Sequence, residues 1–131
     1  MKLTSTPPHR TILVIDDEAG LTRLIKLSLE ATGRFTVVVE NDATTATATA
    51  ERIKPDLILL DVMMPGADGG QIAEQLQARS ATRTIPIVFL TAAVQVREVN
   101  ERGGKIGGFP FIAKPVGKEE LIAVIDANVR K

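Results

Sequence analysis

Four short runs of apolar residues, spaced at intervals along the chain and never alternating with polar ones, restrict its fold more than any other feature. They are Ile12-Leu13-Val14-Ile15, Val37-Val38-Val39, Leu57-Ile58-Leu59-Leu60 and Ile87-Val88-Phe89-Leu90. A strand that is apolar on both faces needs cover on both, and a parallel sheet between two layers of helices supplies it. A fifth, weaker run spans Phe109 to Ala113.

Helix-period segments separate the runs. Leu21, Leu24, Ile25, Ser28 and Leu29 form one stripe that ends at Gly33, a fitting C-terminal stop. Ala43, Ala46, Ala50 and Ile53 form a thinner one, interleaved with threonines of weak helix propensity. Ile72, Ala73 and Leu76 predict a third helix opening near Asp68, and Val96 and Val99 a fourth that gives way to Gly103, Gly104, Gly107 and Gly108. A fifth helix over Leu121 to Val129 has Glu119 and Glu120 at its start and Arg130 and Lys131 at its end, both suited to the helix dipole. The alternation predicts an α/β fold: a three-layer αβα sandwich with right-handed crossovers, five strands and five helices. Its single domain runs from residue 11 to 131, after a polar, proline-broken and flexible tail over residues 1–10.

Composition excludes several chemistries. There is no cysteine, so disulfides and thiolate sites are absent, and the one histidine, His9, lies in the tail, which removes His-based metal sites and Ser-His-Asp triads. Sixteen basic and sixteen acidic residues give no net charge, so nothing electrostatic points to nucleic acid or an anionic membrane. No apolar run approaches the ~18 residues of a membrane span, and Met1–Arg10 lacks the apolar centre of a secretion signal. The expectation is a soluble, cytoplasmic protein.

The chemistry falls at the strand ends. Ligands of open parallel sheets bind beyond the carboxyl ends of the strands. Asp16 and Asp17 follow the first strand, Asp61 the third, Thr91 the fourth and Lys114 the fifth. Each has an ordinary structural reading. Asp16-Asp17-Glu18 could cap the first helix, Asp61 could open the turn Met63-Met64-Pro65-Gly66, Thr91 could be a plain strand-end hydroxyl and Lys114 a solvated lysine. Four separate strand ends supplying complementary groups to one rim favour a site. Acids gathered there raise one another's pKa unless a cation intervenes, and one lysine offsets only part of the repulsion. A hard divalent ion such as Mg²⁺, held by carboxylates and phosphate oxygens, fits the set.

With these motifs in place, the chain resembles the receiver domains of two-component response regulators, the CheY-like superfamily. The matching segments are Val14-Ile15-Asp16-Asp17-Glu18, Leu59-Leu60-Asp61-Val62-Met63-Met64-Pro65-Gly66, Phe89-Leu90-Thr91-Ala92 and Phe111-Ile112-Ala113-Lys114-Pro115, in the family's order and spacing. The resemblance implies the flavodoxin-like strand order 2-1-3-4-5. It implies that Asp61 accepts a phosphoryl group from the phosphohistidine of a sensor histidine kinase. It also implies that Asp17 and Asp61 ligate Mg²⁺ directly, with Asp16 acting through a water and the Met63 backbone carbonyl adding a ligand. Lys114 would pair with Asp61 and then with the phosphoryl oxygens, from a cis Lys114–Pro115 bond. Thr91 and Phe111 would act as the switch, with Phe111 standing where tyrosine is common, and would reshape the face built by the fourth helix, fifth strand and fifth helix. Met63 and Ala93 stand where side chains tune water access, which implies slow self-dephosphorylation.

The partners expected are the kinase and a downstream target or phosphotransferase, with no direct contact to nucleic acid or membrane. Because Met1 opens the chain and no effector domain follows Lys131, a stand-alone protein is expected. It would be no enzyme beyond its own phosphorylation and slow dephosphorylation. Three rivals remain. A degenerate receiver acting only as a scaffold would lack the acid cluster, Thr91 or Lys114. A haloacid-dehalogenase-like phosphatase needs a second acid where Met63 stands. A cobalamin or flavin module needs a histidine ligand or stacking aromatics.

Overall fold

The computed structural model describes residues 9–92 and 108–129. The sheet strands are β1 (Arg10–Ile15), β2 (Phe35–Glu40), β3 (Leu57–Asp61), β4 (Ile87–Thr91) and β5 (Phe111–Ala113). Their order is β2-β1-β3-β4-β5, with every neighbouring pair parallel. The helices are α1 (Ala19–Glu30), α2 (Ala46–Ile53), α3 (Gly69–Ala78) and α4 (Lys118–Asn128). A 3₁₀ turn, Ala43–Thr45, leads into α2, and a two-residue hairpin, Met63–Met64 against Ala67–Asp68, leads into α3. The predicted fourth helix around Val96 and Val99 lies outside the described residues, as do Ala93, Gly103, Gly104, Gly107, Arg130, Lys131 and residues 1–8 of the expected tail.

The unalternated runs are buried for the reason their sequence indicates. Alternate side chains of a strand point to opposite faces. Ile12, Val14, Leu57, Leu59, Val88 and Leu90 face a core completed by Ile25 and Leu29 of α1 and Leu121 and Ile125 of α4. Leu13, Ile15, Ile58, Leu60, Ile87 and Phe89 face the other, with Ala46 and Ala50 of α2 and Ile72, Ala73 and Leu76 of α3. Each fully buried Leu or Ile contributes about 1.5–3 kcal/mol. α2 is thin because its inward positions are alanines, with Ala46 and Ala50 fully buried.

Local signals set the element ends. Gly33, at φ +76°, closes the turn after α1. Asp68 caps α3, its carboxylate accepting from the Gly70 N–H at 2.8 Å. β1 begins at Arg10, one residue before the expected start of the domain, because the Arg10 N–H donates to the Arg34 carbonyl at 3.0 Å. The fifth strand proper is shorter than its apolar run, and Phe109 instead packs edge-on against Phe89, with ring centroids 5.6 Å apart. Among the described residues no helix is long and apolar enough to cross a membrane.

Candidate functional site

β1 and β3, neighbouring inner strands of the sheet, lead into the acids Asp16 and Asp61. Asp16 follows β1 directly, Asp61 is the last residue of β3, and both are buried, at 0% and 5% exposure. Beside them β4 ends in the fully buried Thr91. The Lys114 N–H donates to the Thr91 carbonyl at 2.7 Å, so the chain leaving β5 is tied to the end of β4. The Lys114–Pro115 bond is cis, as the resemblance implies.

From that position Lys114 reaches three carboxylates. Its Nζ lies 2.8 Å from Glu18 Oε1, 3.0 Å from Asp16 Oδ2 and 3.5 Å from Asp61 Oδ1. It donates a hydrogen bond to Glu18. Its approach to Asp16 is an ion pair without hydrogen-bond geometry, which leaves the buried Asp16 Oδ2 without a hydrogen-bond donor. Burial works against the ammonium, but the nearby oxygens of Glu18 and Asp16 and the charge of Asp61 outweigh it and hold Lys114 above the ordinary lysine value.

One lysine does not neutralise three acids. Carboxylate oxygens of Asp16, Glu18 and Asp61 lie within 4.8 Å of one another. Asp61 is pushed up to about 6, first by burial and then by the charge of Asp16. Lys114 and the Met63 N–H, which donates to Asp61 Oδ1 at 3.3 Å, only partly counter this. Three converging carboxylates and an unsatisfied buried oxygen suit a hard divalent cation.

The structure brings Asp16, Asp61, Lys114 and Thr91 to one rim, and it adds Glu18. Asp17 is exposed and stands outside the trio. A bend at Asp17 follows β1, and the Asp16 carboxylate accepts from the Glu18 N–H at 2.9 Å. Phe111 is half-buried and packs against the core on the α2–α3 side. Met63 projects its side chain into solvent at 66% exposure.

Two contributors were not visible in the sequence. The Asn41 side chain, just past β2, donates to the Asp16 carbonyl at 2.8 Å and to Thr22 Oγ1 at 3.0 Å. Together with the Asp16 N–H, which donates to the Glu40 carbonyl at 3.1 Å, it fixes the turn that aims Asp16 inward. The second strand end therefore serves the site after all, by holding backbone. The other contributor is Gly69, the first residue of α3, whose N–H donates to the carbonyl of Val62, next to Asp61, at 2.9 Å. A signal for Asn41 existed, since it is a polar residue directly after a strand, but its target is a main-chain carbonyl that side-chain patterns do not reveal.

Comparison with known proteins identifies a family for this fold. A family model described as the response regulator receiver domain matches residues 12–126. The phosphate regulon transcriptional regulatory protein PhoB of Escherichia coli K12 is 40% identical over 122 residues, which cover 93% of this chain and 52% of the relative. The DNA-binding response regulator MtrA of Mycobacterium leprae is 37% identical over 123 residues, 94% of this chain and 52% of the relative. The chain thus spans about half the length of the curated relatives it matches. A solved receiver domain of a sensor histidine kinase from Pseudomonas aeruginosa PAO1, with a magnesium ion coordinated in its active site cleft, is 28% identical with a TM-score of 0.75, covering 91% of this chain and 96% of that one. The chemotaxis response regulator CheY4 of Vibrio cholerae shares the fold at a TM-score of 0.77 and 23% identity, over 91% of this chain and 98% of that one. With the family model running from the first strand into the last helix, and the curated relatives aligned over more than nine-tenths of its length, this chain belongs to the receiver domains of two-component response regulators.

Proposed function

We propose that this chain accepts a phosphoryl group on Asp61 from the phosphohistidine of a sensor histidine kinase, in a reaction that depends on Mg²⁺. The observation that carries the reading is Lys114, whose ammonium stands among Asp16, Glu18 and Asp61 at a single rim. In the transfer, an Asp61 carboxylate oxygen forms a bond to phosphorus. The phosphorus–nitrogen bond of the donor breaks, and its electron pair stays on the imidazole. Lys114 is placed to draw charge from the phosphoryl oxygens, and Thr91, from the end of β4, to donate a hydroxyl to them. The Met63 N–H, which donates to the same Asp61 Oδ1 that Lys114 approaches, helps to orient the carboxylate.

Asp16, Asp17 and Asp61, with the Met63 carbonyl, are the groups that would hold the metal, and Glu18 joins them on geometry. The ion would neutralise charge on the phosphoryl oxygens. The phosphoryl group would then bias Thr91 and Phe111 toward a second arrangement of the surface formed by β5, α4 and their neighbours. The chain would discharge itself slowly, turn over no separate substrate and work in the cytoplasm. Its output would pass through contact with a target protein or a phosphotransferase. Met63, where a phosphatase of similar chemistry needs an acid, supports a receiver over an enzyme.

The test is incubation with acetyl phosphate, with and without Mg²⁺, followed by intact mass. The wild type should gain the mass of one phosphoryl group only with the metal, and Asp61→Asn should gain none. Equal gain by Asp61→Asn, or gain in a chelator, overturns the reading.

A further inference from the structure

We infer that Gly69 is a positioning residue for the Asp61 carboxylate, an inference that rests on the phosphoacceptor reading above. Gly69 is the buried first residue of α3. A Cβ at this position would strike the carbonyl oxygen of Asp61 and come within 2.9 Å of Val62 Cα and 3.0 Å of the Val62 carbonyl. All three atoms are main chain, so none can swing aside as a side chain would. The missing Cβ is what lets the start of α3 lie directly against the peptide that follows the phosphoacceptor.

The contact belongs to a closed loop. The Val62 N–H donates to the Leu90 carbonyl at 3.0 Å, fixing the loop's entry to β4. Met63 pairs with Asp68 and Met64 with Ala67, through a turn that Gly66 makes at φ +73°. The Gly69 N–H then donates back to the Val62 carbonyl at 2.9 Å and closes the ring. Residues 61 to 69 therefore have little freedom to absorb an added atom. Displacing the Asp61 carbonyl turns the adjoining Asp61 side chain, and with it the Oδ1 that lies 3.5 Å from Lys114 and 3.3 Å from the Met63 N–H. It also shifts Met63, whose carbonyl is among the expected metal ligands.

The other glycines supply the contrast. Around Gly20 a Cβ would meet nothing within 4 Å, and at Gly70, in the same turn as Gly69, it would meet only the Asp68 side chain, at 3.2 Å to Oδ1. Gly70→Ala thus perturbs the start of α3 without touching the Asp61 peptide.

The experiment compares wild type, Gly69→Ala, Gly70→Ala and Gly20→Ala at a temperature where circular dichroism shows each to be folded. Calorimetry reads the Mg²⁺ dissociation constant, and intact mass reads the initial rate of phosphoryl uptake from acetyl phosphate. Small misplacements of reacting groups are costly, so Gly69→Ala should lose about tenfold or more in both, with Gly20→Ala and Gly70→Ala within about twofold of wild type. Two readouts guard against a general loss of stability. Leu76→Ala, a core variant of the same helix, should melt lower yet keep wild-type Mg²⁺ affinity while folded. Equal losses in Gly69→Ala and Gly70→Ala, wild-type behaviour of Gly69→Ala, or its failure to fold at any temperature would each overturn the positioning role. A wild-type chain that takes up no phosphoryl group would sink the phosphoacceptor reading, whereas a loss of Mg²⁺ affinity confined to Gly69→Ala would still support the role of Gly69.

Discussion

Lys114 holds Glu18 more closely than Asp61, at 2.8 Å against 3.5 Å, and this pairing distinguishes Glu18 from its neighbour Asp17. Glu18 is occupied by the lysine, whereas Asp17 is exposed and makes no ion pair among the described residues, so its carboxylate is available to an arriving cation. Asp17→Asn is therefore expected to weaken Mg²⁺ binding by about tenfold, near the loss typical when a metal site loses a supporting group. Glu18→Gln should weaken it less than threefold, and calorimetric titration of both variants checks the order. The reverse order would make Glu18 the ligand. Asp16, Asp61, Thr91 and Lys114 were legible in the sequence because each follows an apolar run, and the ends of parallel strands converge. Glu18 was visible only as a neighbour of the two aspartates, since its contact with Lys114 spans 96 residues. Asn41 and Gly69 were hidden because both act on main chain, one by donating to a carbonyl and the other by lacking an atom.

At the scale of elements, β2 is an edge strand whose outer main chain is not left open. Lys26 of α1 donates to the Val37 carbonyl at 2.7 Å, and the Val37 N–H donates to Glu30 of the same helix at 3.0 Å. The two side chains also pair with each other at 3.0 Å, and the bond from Val37 holds the Glu30 carboxyl below its ordinary value. Unpaired strand edges invite pairing with another chain, and here a helix spaced i, i+4 covers one. Glu30→Ala should speed amide exchange at Val37, lower the melting temperature and promote self-association visible by sedimentation as concentration rises. An unchanged Val37 exchange rate would show that the bond does not protect the edge. In the interior, Leu59→Ala should cost about 2–5 kcal/mol by denaturant melting, because Leu59 is fully buried on a face packed against two helices. The strands were legible from runs such as Leu57–Leu60, whose lack of a polar face leaves few alternatives. The hairpin at Met63–Asp68 was foreseen only as a turn, because two-residue strands leave no periodicity to read. The 3₁₀ entry to α2 was likewise invisible, since it depends on Asp42 accepting from the Thr44 N–H at 2.9 Å.

At the scale of the whole molecule, the acid cluster links stability to pH and to metal. Asp61 is held up to about 6 in the fold, above its ordinary 3.8, so between about pH 4 and pH 6 the native state keeps a proton that the unfolded chain has released. Stability attributable to Asp61 therefore falls as pH rises through that window, by on the order of 2–3 kcal/mol, and the deficit is complete above it. Glu30 and Asp42, both held below their ordinary values, act in the opposite sense, but they do so equally in wild type and in Asp61→Asn. The difference between the two proteins isolates Asp61. In a chelator, Asp61→Asn should melt well above wild type at pH 7.5, and the gap should shrink toward nothing near pH 4. Mg²⁺ reverses the comparison, because a ligand bound only by the native state stabilises it, by about 2.7 kcal/mol at one hundred times its dissociation constant. Binding needs the ionised carboxylate, so the metal should raise the wild-type melting temperature strongly at pH 7.5 and weakly at pH 5, and should do little for Asp61→Asn at either. A scan of melting temperature against pH, run in chelator and in Mg²⁺ for both proteins, checks every part. If the gap between the metal-free proteins failed to open between pH 4 and pH 7, Asp61 would not be the residue that bears the strain of the unneutralised cluster.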